Sequence, residues 1–589
     1  DHFTAALASA DNATSLSDSE RFELLAAREA AHDVLGNRNA QAADLEAMTL
    51  LARTNPERLI ETLTRRARLL ARRDRFAEAE AAVREALALA QEQAANQSLT
   101  AKAHTALGWV FLARHDPDLA MPHLQTAVNI FPGMAETRIT NEARNALALS
   151  LQFLSNYSAA REQAEGAFAV YVKWNDSVGQ ADALVTLGWI AFEQGFIDES
   201  KIYYQRALDL SRAVGYRQKE ADSLLGLGNV FAWQGLLHDA LKSYESALEM
   251  FRGMEQRGPE MLARARAVDV WLAVGNSETA TQESEMVAAY ARESSNRYLE
   301  GVASLLLAKS ARQHADRKSA QDYLDVALDA LDRNSERWAW DRVRIYLELA
   351  YLALDKGDPK TVQDYLQTAD TICQKSGLHG FNSHVLAARS LALLALKQPE
   401  AALAATEQAM SQLPSAGGKA YLIPLAHYHV LTALRQTEAS HTALKQAYQL
   451  LMNPFEGFAP EQRHQALERI AEHRTIVAVW EALQPRHTTL RLPRVDVPLG
   501  RPLRENEWVE VNWTIAEPDD EAISDKVARR RHRLLRLLRE AAAQDAAPTH
   551  EYLAEALEAS VRTISDDIAA LRAEHADLPP TRRIGRMPR

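Results

Sequence analysis

The stretch TLGWIAFEQGFIDESKIYYQRALDL, residues 186–210, returns as GLGNVFAWQGLLHDALKSYESALEMF over 226–251 and is foreshadowed by TALGWVFLARHDPDLAMPHLQTAVNIF over 105–131. Leu-Gly pairs stand at Leu107-Gly108, Leu187-Gly188 and Leu227-Gly228, with Leu147-Ala148 filling the gap, so the period is 40 residues. A track of small residues runs Ala79, Ala120, Ala160, Ser200, Ala240, Ala280, Ala320, Val362, Ala402. A second runs seven residues behind it, through Ala86, Ala127, Ala167, Ala207, Ala247, Val287, Ala327, Ala369 and Ala409. Seven residues is two helical turns, so each pair puts two small side chains on one helix face. There they let helix backbones approach while Leu and aromatic side chains fill the flanks. Turn residues divide each unit into two helices: His115-Asp116-Pro117, Gly195, Gly235, Gly275-Asn276, Gly357-Asp358-Pro359 and Gln398-Pro399.

A helical hairpin of this kind cannot bury its own apolar face and must stack on its neighbours, which predicts an α-solenoid. The order Leu, Gly, an aromatic three residues on, Ala, and Ala seven later resembles the tetratricopeptide repeat. Its carriers are Leu107, Gly108, Phe111, Ala120 and Ala127, and again Leu227, Gly228, Phe231, Ala240 and Ala247. The 40-residue unit resembles the longer-helix variety found in bacterial maltose-regulator-like signalling proteins. The resemblance runs over roughly residues 55–480, with Val268, Ala308 and Ala350 standing for Gly and Val362 for Ala in later units. It implies a mainly α fold, a right-handed solenoid of about ten hairpins. The expected domains are 1–54, a helical pair opening the solenoid; 55–484, the solenoid; 485–524, a β-containing spacer; and 525–589, a winged helix-turn-helix.

Composition agrees with that reading. The 589 residues are 47% hydrophobic and 25% charged, with net charge −12, so bulk charge draws the chain neither to nucleic acid nor to acidic membrane. Cys373 alone cannot form an internal disulfide, which points to a reducing, cytoplasmic setting. No apolar run reaches spanning length, and the N-terminus lacks a signal pattern. The chain opens at Asp1 rather than Met, from which further sequence upstream is expected.

In this repeat family the first helix of each unit lines the concave surface. By that resemblance Trp109, Leu149, Trp189 and Asn229 form one column, Phe192 and Trp233 fall in adjacent ones, and Glu142, Asp182 and Asp222 lie near the helix starts. Trp109, Asn145, Trp189, Phe192, Asn229 and Trp233 thereby form a candidate groove for a peptide or for an amphipathic helix of a partner protein. Asn145 and Asn229 could hydrogen-bond a peptide backbone. The same aromatics suit packing between successive hairpins, and the same acids suit a solvated face; helical periodicity does not separate these readings.

Around Pro485 the helical period stops. EWVEVNWTI alternates, placing Val509, Val511, Trp513 and Ile515 on one face of a strand that pairs with the preceding segment. EPDDEA then reads as a polar linker. Over 525–589 the balance turns to 13 Lys+Arg against 10 Asp+Glu, net +3, leaving −15 for the rest. Lys526, Arg529, Arg530, Arg531, Arg533, Arg536 and Arg539 crowd one helix. Two short helices follow, N-capped by Thr549 and Ser560.

YLAEALEASVRTISDDIAALRAE followed by LPPTRR resembles the winged helix-turn-helix of bacterial sugar-metabolism repressors of the DeoR type. The matching residues are Leu553, Ala554, Leu557, Ser560, Arg562, Thr563, Ile564, Asp567, Ile568 and Leu571. The resemblance implies that Ser560, Arg562, Thr563 and Ser565 face the major groove, and that Arg582, Arg583, Arg586 and Arg589 track phosphate. The chain departs from that family at Glu558, where a turn Gly is common, and at Asp566, where a basic residue is usual. The bland counterpart is a small helical cap shielding the solenoid's end.

No catalytic residue, cofactor or metal site is expected. His427 and His429, two apart on a helix, point away from each other. Gly417-Gly418-Lys419 lacks the upstream Gly and the Ser/Thr of a phosphate-binding loop, so any nucleotide switch would lie upstream of Asp1. The expected function is a bacterial signal-responsive transcription regulator. Its solenoid binds a peptide or protein and its C-terminal module binds double-stranded DNA, as a homodimer on a two-fold site. The alternative is an interaction scaffold, or the sensor half of an ATPase switch, whose terminal domain binds protein.

Overall fold

The structure is a computed structural model that describes residues 2–5, 7, 16–92, 96–130, 137–331, 336–497, 503–575 and 577–582. It divides into two compact units, Asp1–Arg474 and Thr475–Arg589.

The first unit is a run of antiparallel helix pairs. They comprise α1 (Asp18–Val34), α2 (Arg38–Ala52), α3 (Pro56–Arg72), α4 (Phe76–Glu92), α5 (Gln97–Ala113), α6 (Pro117–Asn129), α7 (Arg138–Phe153) and α8 (Tyr157–Lys173). The run continues through α9 (Ser177–Gln194), α10 (Ile197–Val214), α11 (Arg217–Trp233), α12 (Leu237–Gly253), α13 (Arg257–Ala273), α14 (Ser277–Glu293), α15 (Arg297–Gln313), α16 (Arg317–Ala330), α17 (Ala339–Lys356) and α18 (Pro359–Ser376). It closes with α19 (Asn382–Ala395), α20 (Pro399–Ser411), α21 (Leu422–Ala433), α22 (Thr437–Met452), α23 (Pro460–Arg469) and α24 (Ala471–Ala482), the last crossing the division between units.

Local chemistry sets the ends. Asn156, Asp176, Asn276, Asn296, Asp316 and Asp358 each accept the backbone N–H three residues on, the bond that satisfies an orphan donor at a helix start. Left-handed residues stop the helices, Gly195 at φ 86° and Gly357 at φ 73° among them, where glycine carries no Cβ penalty. Every member of both small-residue tracks, from Ala79 to Ala409, has no exposed surface. The Leu-Gly glycines have a size partner sixteen residues later. A Cβ on Gly108 would lie 2.4 Å from Leu124, one on Gly188 2.7 Å from Tyr204, and one on Gly228 2.5 Å from Tyr244. Where the glycine is replaced, the residue sixteen later is small at two of the four positions: Ala148 goes with Ala164 and Val268 with Ser284.

The second unit pairs β1 (Arg486–Pro493) antiparallel with β2 (Trp508–Ala516), Leu492 opposite Val509 and Leu490 opposite Val511. Three helices follow: α25 (Lys526–Ala543), α26 (His550–Ala556) and α27 (Val561–Glu574). Leu492, Val511 and Trp513 from the hairpin share one core with Leu534, Leu537, Leu538, Leu553, Ile564, Ile568 and Leu571. The segment read as a spacer is therefore part of the same small domain as the helices, because its strand buries its apolar face against α25.

Candidate functional site

The middle stretches of several first helices are buried but for a few positions that recur from unit to unit. Over 181–190 of α9 the residues that are not buried are Asp182 and Trp189; over 301–310 of α15, Lys309. The same two positions stay half-exposed as Lys102 and Trp109, Glu142 and Leu149, and Leu262 and Asp269. Positions seven apart lie on one helix face, so these residues form a strip toward an inner space, while His104, Arg144, Leu224 and Arg264 are half-exposed beside it.

That space is wet but recessed. The side chains of Glu142, Asp182, Asp269 and Lys309 keep 32%, 28%, 29% and 17% of their surface, yet burial is the largest influence on the protonation of all four. On an open surface, neighbouring charges would lead. Burial pushes the Asp182 carboxyl up against the opposing pull of Lys219, 3.5 Å away. At Glu142 and Asp269 burial opposes the charge and is outweighed, by Arg68 at 2.9 Å and by Arg344 and Lys309 respectively, so both lie below the usual carboxylate range. The pairs Arg68–Glu142, Lys219–Asp182, Lys309–Asp269 and Arg312–Glu348 form a ladder from one inner helix to another.

The enclosure comes from contacts the repeat pattern does not contain. Arg73 meets Glu255, His115 meets Asn296, the Ala339 N–H donates to Ser155 Oγ, and Arg469 donates to the Gly275 carbonyl, across 182, 181, 184 and 194 residues. The chain therefore returns on itself about every four and a half units, where a simple solenoid would touch only neighbours. His115 stacks on Tyr298 at 4.9 Å, and burial pushes its pKa down to about 4. Trp233 lies edge-on to Phe192 and Phe381, its carbonyl accepts the Gly418 N–H at 2.8 Å, and Gly380 and Gly417 crowd its ring.

These placements revise the expected groove. Trp109 and Trp189 border the inner space, half-buried, with Trp189 edge-on to Tyr204. Phe192 and Trp233 instead sit in the seam between successive windings, where their aromatic faces are taken up. Asn145 is buried with Oδ1 unpartnered; Asn229 is buried and accepts the Tyr244 hydroxyl at 2.8 Å. Lys102, Leu149, Asp182, Asp269 and Lys309 complete the strip. Their signal was the 40-residue column itself, followed past Asn229 to Asp269 and Lys309.

In the second unit Ser560 caps α27, accepting the Thr563 N–H at 3.0 Å, and Arg562 is exposed. Ser565 bonds His550 Nδ1 at 2.8 Å. The turn places Glu558 at φ 50°, the left-handed conformation for which glycine is common there. Arg582 bonds the Val497 carbonyl, which occupies a group expected on phosphate; Arg583, Arg586 and Arg589 lie outside the described residues.

The basic helix is largely neutralised at home. Arg530 and Arg531 grip Asp567 at 2.6 and 2.9 Å, Arg533 bonds Asp520 at 2.8 Å, Arg536 bonds Glu517 and Asp520, and Arg529 bonds the Ile523 carbonyl. Burial works against Asp520, and Arg536 and Arg533 outweigh it, bringing its carboxyl down to about 2. Glu551, Glu555, Glu558 and Asp566 are exposed on α26, the turn and α27, as Arg562 is, so the exposed residues of these two helices are not predominantly basic. Among the described residues no three His, Cys, Asp or Glu cluster to hold a metal, and no helix is long and apolar enough to cross a membrane.

A tetratricopeptide-repeat family model matches residues 58–132 and 190–253. A model described as a protein of unknown function (DUF1670) matches 487–586, taking in both strands and the last three helices; nothing among these matches corresponds to the repressor-type winged helix-turn-helix. No curated protein matches the sequence. A Rap protein complexed with competence and sporulation factor is 14% identical, with TM-score 0.47, over 60% of this chain and 97% of that one. The apo form of the quorum sensor NprR from B. thuringiensis is 12% identical, with TM-score 0.41, over 59% and 98%. A signal-transduction ATPase with a tetratricopeptide-repeat sensor from Pyrococcus horikoshii is 14% identical, with TM-score 0.35, over 58% and 53%.

Proposed function

We propose that this chain is a regulatory binding protein rather than an enzyme, and that its first unit holds a peptide or protein segment of a partner along the inner strip. The observation that carries the reading is the change of character along that strip. One column is apolar at Trp109, Leu149 and Trp189 and charged at Asp269 and Lys309, and the other sets Lys102, Glu142 and Asp182 beside the apolar half. A segment with apolar side chains interleaved with polar ones matches it, since desolvated aromatic anchors give affinity and paired polar groups give direction. Peptides selected from a random library on the immobilised full chain test this. Their affinity, read by fluorescence anisotropy, is expected to fall at least about tenfold in Trp189→Ala and Asp182→Ala, an anchor loss of about 1.4 kcal/mol. Unchanged affinity in both variants would sink the reading.

DNA contact by the second unit is the finer reading, favoured by one observation: the exposed start of α27, with Ser560, Arg562 and Thr563 on it. It makes the chain a signal-responsive transcription regulator, acting as a homodimer on a two-fold site. Full-length chain titrated with duplex DNA across a salt series is expected to bind weakly and to lose binding in Arg562→Ala. Binding that ignores both salt and Arg562 would instead favour a scaffold or an ATPase sensor, with the terminal unit on a protein partner.

A further inference from the structure

The turn between α5 and α6 meets the start of α15 through one side-chain pair whose direction is fixed. Asn296 caps α15: its Oδ1 accepts the Leu299 N–H at 3.0 Å, which leaves its Nδ2 to face His115 Nδ1 at 3.2 Å. An amide nitrogen only donates, so His115 Nδ1 is the bare, accepting nitrogen and the ring carries its proton on Nε2. The two residues stand 181 apart, on turns that the repeat does not make neighbours. Asn296 is 3% exposed, so its amide has little water to turn to. Two backbone bonds cross the same seam: the Trp338 N–H donates to the Phe153 carbonyl at 3.1 Å, and the Ala339 N–H to Ser155 Oγ at 3.0 Å.

The surroundings keep the ring neutral. His115 stacks on Tyr298 at 4.9 Å and on Phe153 at 5.8 Å, with Trp338 at 6.1 Å. Burial pushes its pKa down to about 4, against the weaker pull of Asp116 and of a backbone bond to Ala113. The charges on the elements round the ring are answered elsewhere. Arg114 bonds Asp116 and Arg337 bonds Asp118 beside the turn; on α17, Arg344 bonds Asp341. At the start of α15, Arg297 is taken by Glu300 and Asp329, and Glu193 on α9 accepts the Gln152 amide.

We propose that His115 and Asn296 form a proton-operated latch on this seam, closed while Nδ1 is bare and released when Nδ1 takes a proton and two donors confront each other. His384, at another seam, shows the contrast: it donates to the Gly417 carbonyl at 2.9 Å, a bond that a further proton leaves intact. Because the closed contact holds the neutral ring, its support is complete above the ordinary histidine value of about 6.5. It is lost as pH falls toward about 4. This goes beyond partner binding and stands whether or not a peptide binds.

Hydrogen exchange of the full chain, corrected for the intrinsic pH dependence of exchange, tests it on the amides of Trp338 and Ala339. With the ring at about 4 when closed and about 6.5 when open, the open fraction rises about tenfold between about pH 7.5 and pH 5.5. The wild type is expected to show that rise. His115→Gln is expected to show none, since its side-chain oxygen accepts from Asn296 at either pH. Asn296→Asp is expected to show none either: aspartate still caps the helix, and its free oxygen accepts from the protonated ring. The Gly418 N–H, which crosses the other seam to the Trp233 carbonyl, is the reference and is expected to stay flat. A wild type without the rise, a rise that persists in either variant, or an equal rise at Gly418 overturns the proposal.

Discussion

Gly108 shows what one hydrogen atom does in this molecule. Its missing Cβ leaves room for Leu124, and Gly108→Ala would place a carbon 2.4 Å from that side chain, an overpacking expected to cost roughly 1–3 kcal/mol. Gly108→Ala with Leu124→Ala reproduces the Ala148 and Ala164 pair of the next unit. A double-mutant cycle in urea should therefore show the double variant less destabilised than the sum of the singles; additivity would mean the two positions do not share volume. Glu193 gives a second test at this scale. Its carboxyl sits near 7 when folded and near the ordinary 4.5 when unfolded, so the folded state binds the extra proton between those values and stability falls as pH rises through that window. Glu193→Gln should flatten that fall in urea midpoints measured from about pH 4.5 to 7, and an unchanged slope would place the effect elsewhere.

At the scale of elements, α25 shows why a basic helix in a sequence is not yet a nucleic-acid surface. Seven cations were legible at once, but nothing marked their partners as such: Glu517 and Asp520 lay in the stretch read as a polar linker, and Asp567 on α27 was read only as part of a helix-turn-helix. Asp520 has no exposed surface, and removing it takes a buried carboxylate from both Arg533 and Arg536. Asp520→Asn is expected to cost the second unit about 3 kcal/mol, as breaking a buried pair does. Because its folded pKa lies below the unfolded one, this support is complete above about pH 4 and is lost as pH falls toward about 2. Circular dichroism of wild type and variant down that range should converge at the acid end; parallel curves would contradict the assignment. The hairpins of the solenoid were far more legible. Small residues at fixed spacing mark the helix crossings, and each one from Ala79 to Ala409 is fully buried. Trp233 and Phe192 were legible only as inner aromatics. Periodicity tells which face a residue takes, but Gly417 lies more than four units away and belongs to no local pattern.

At the scale of the whole first unit, segments about four and a half repeats apart touch, so the unit is more than a chain of neighbours. Trp233→Ala removes a ring packed against Phe192, Phe381 and Gly417, expected to cost about 3 kcal/mol, and should loosen distant segments together. Hydrogen exchange should rise both around residues 192–235 and around 378–420; a rise confined to α11 would mean the windings are independent. The central claim is that the inner strip, and not the outer helices, meets the partner. The most direct test is a photo-crosslinking amino acid at Trp189 or Trp109 on the strip, or at Ile202, 58% exposed on the outer face of α10. Each variant is irradiated with a peptide selected on the wild-type chain. The account predicts covalent capture from positions 109 and 189 and none from 202; capture from 202 with none from 189 would contradict it.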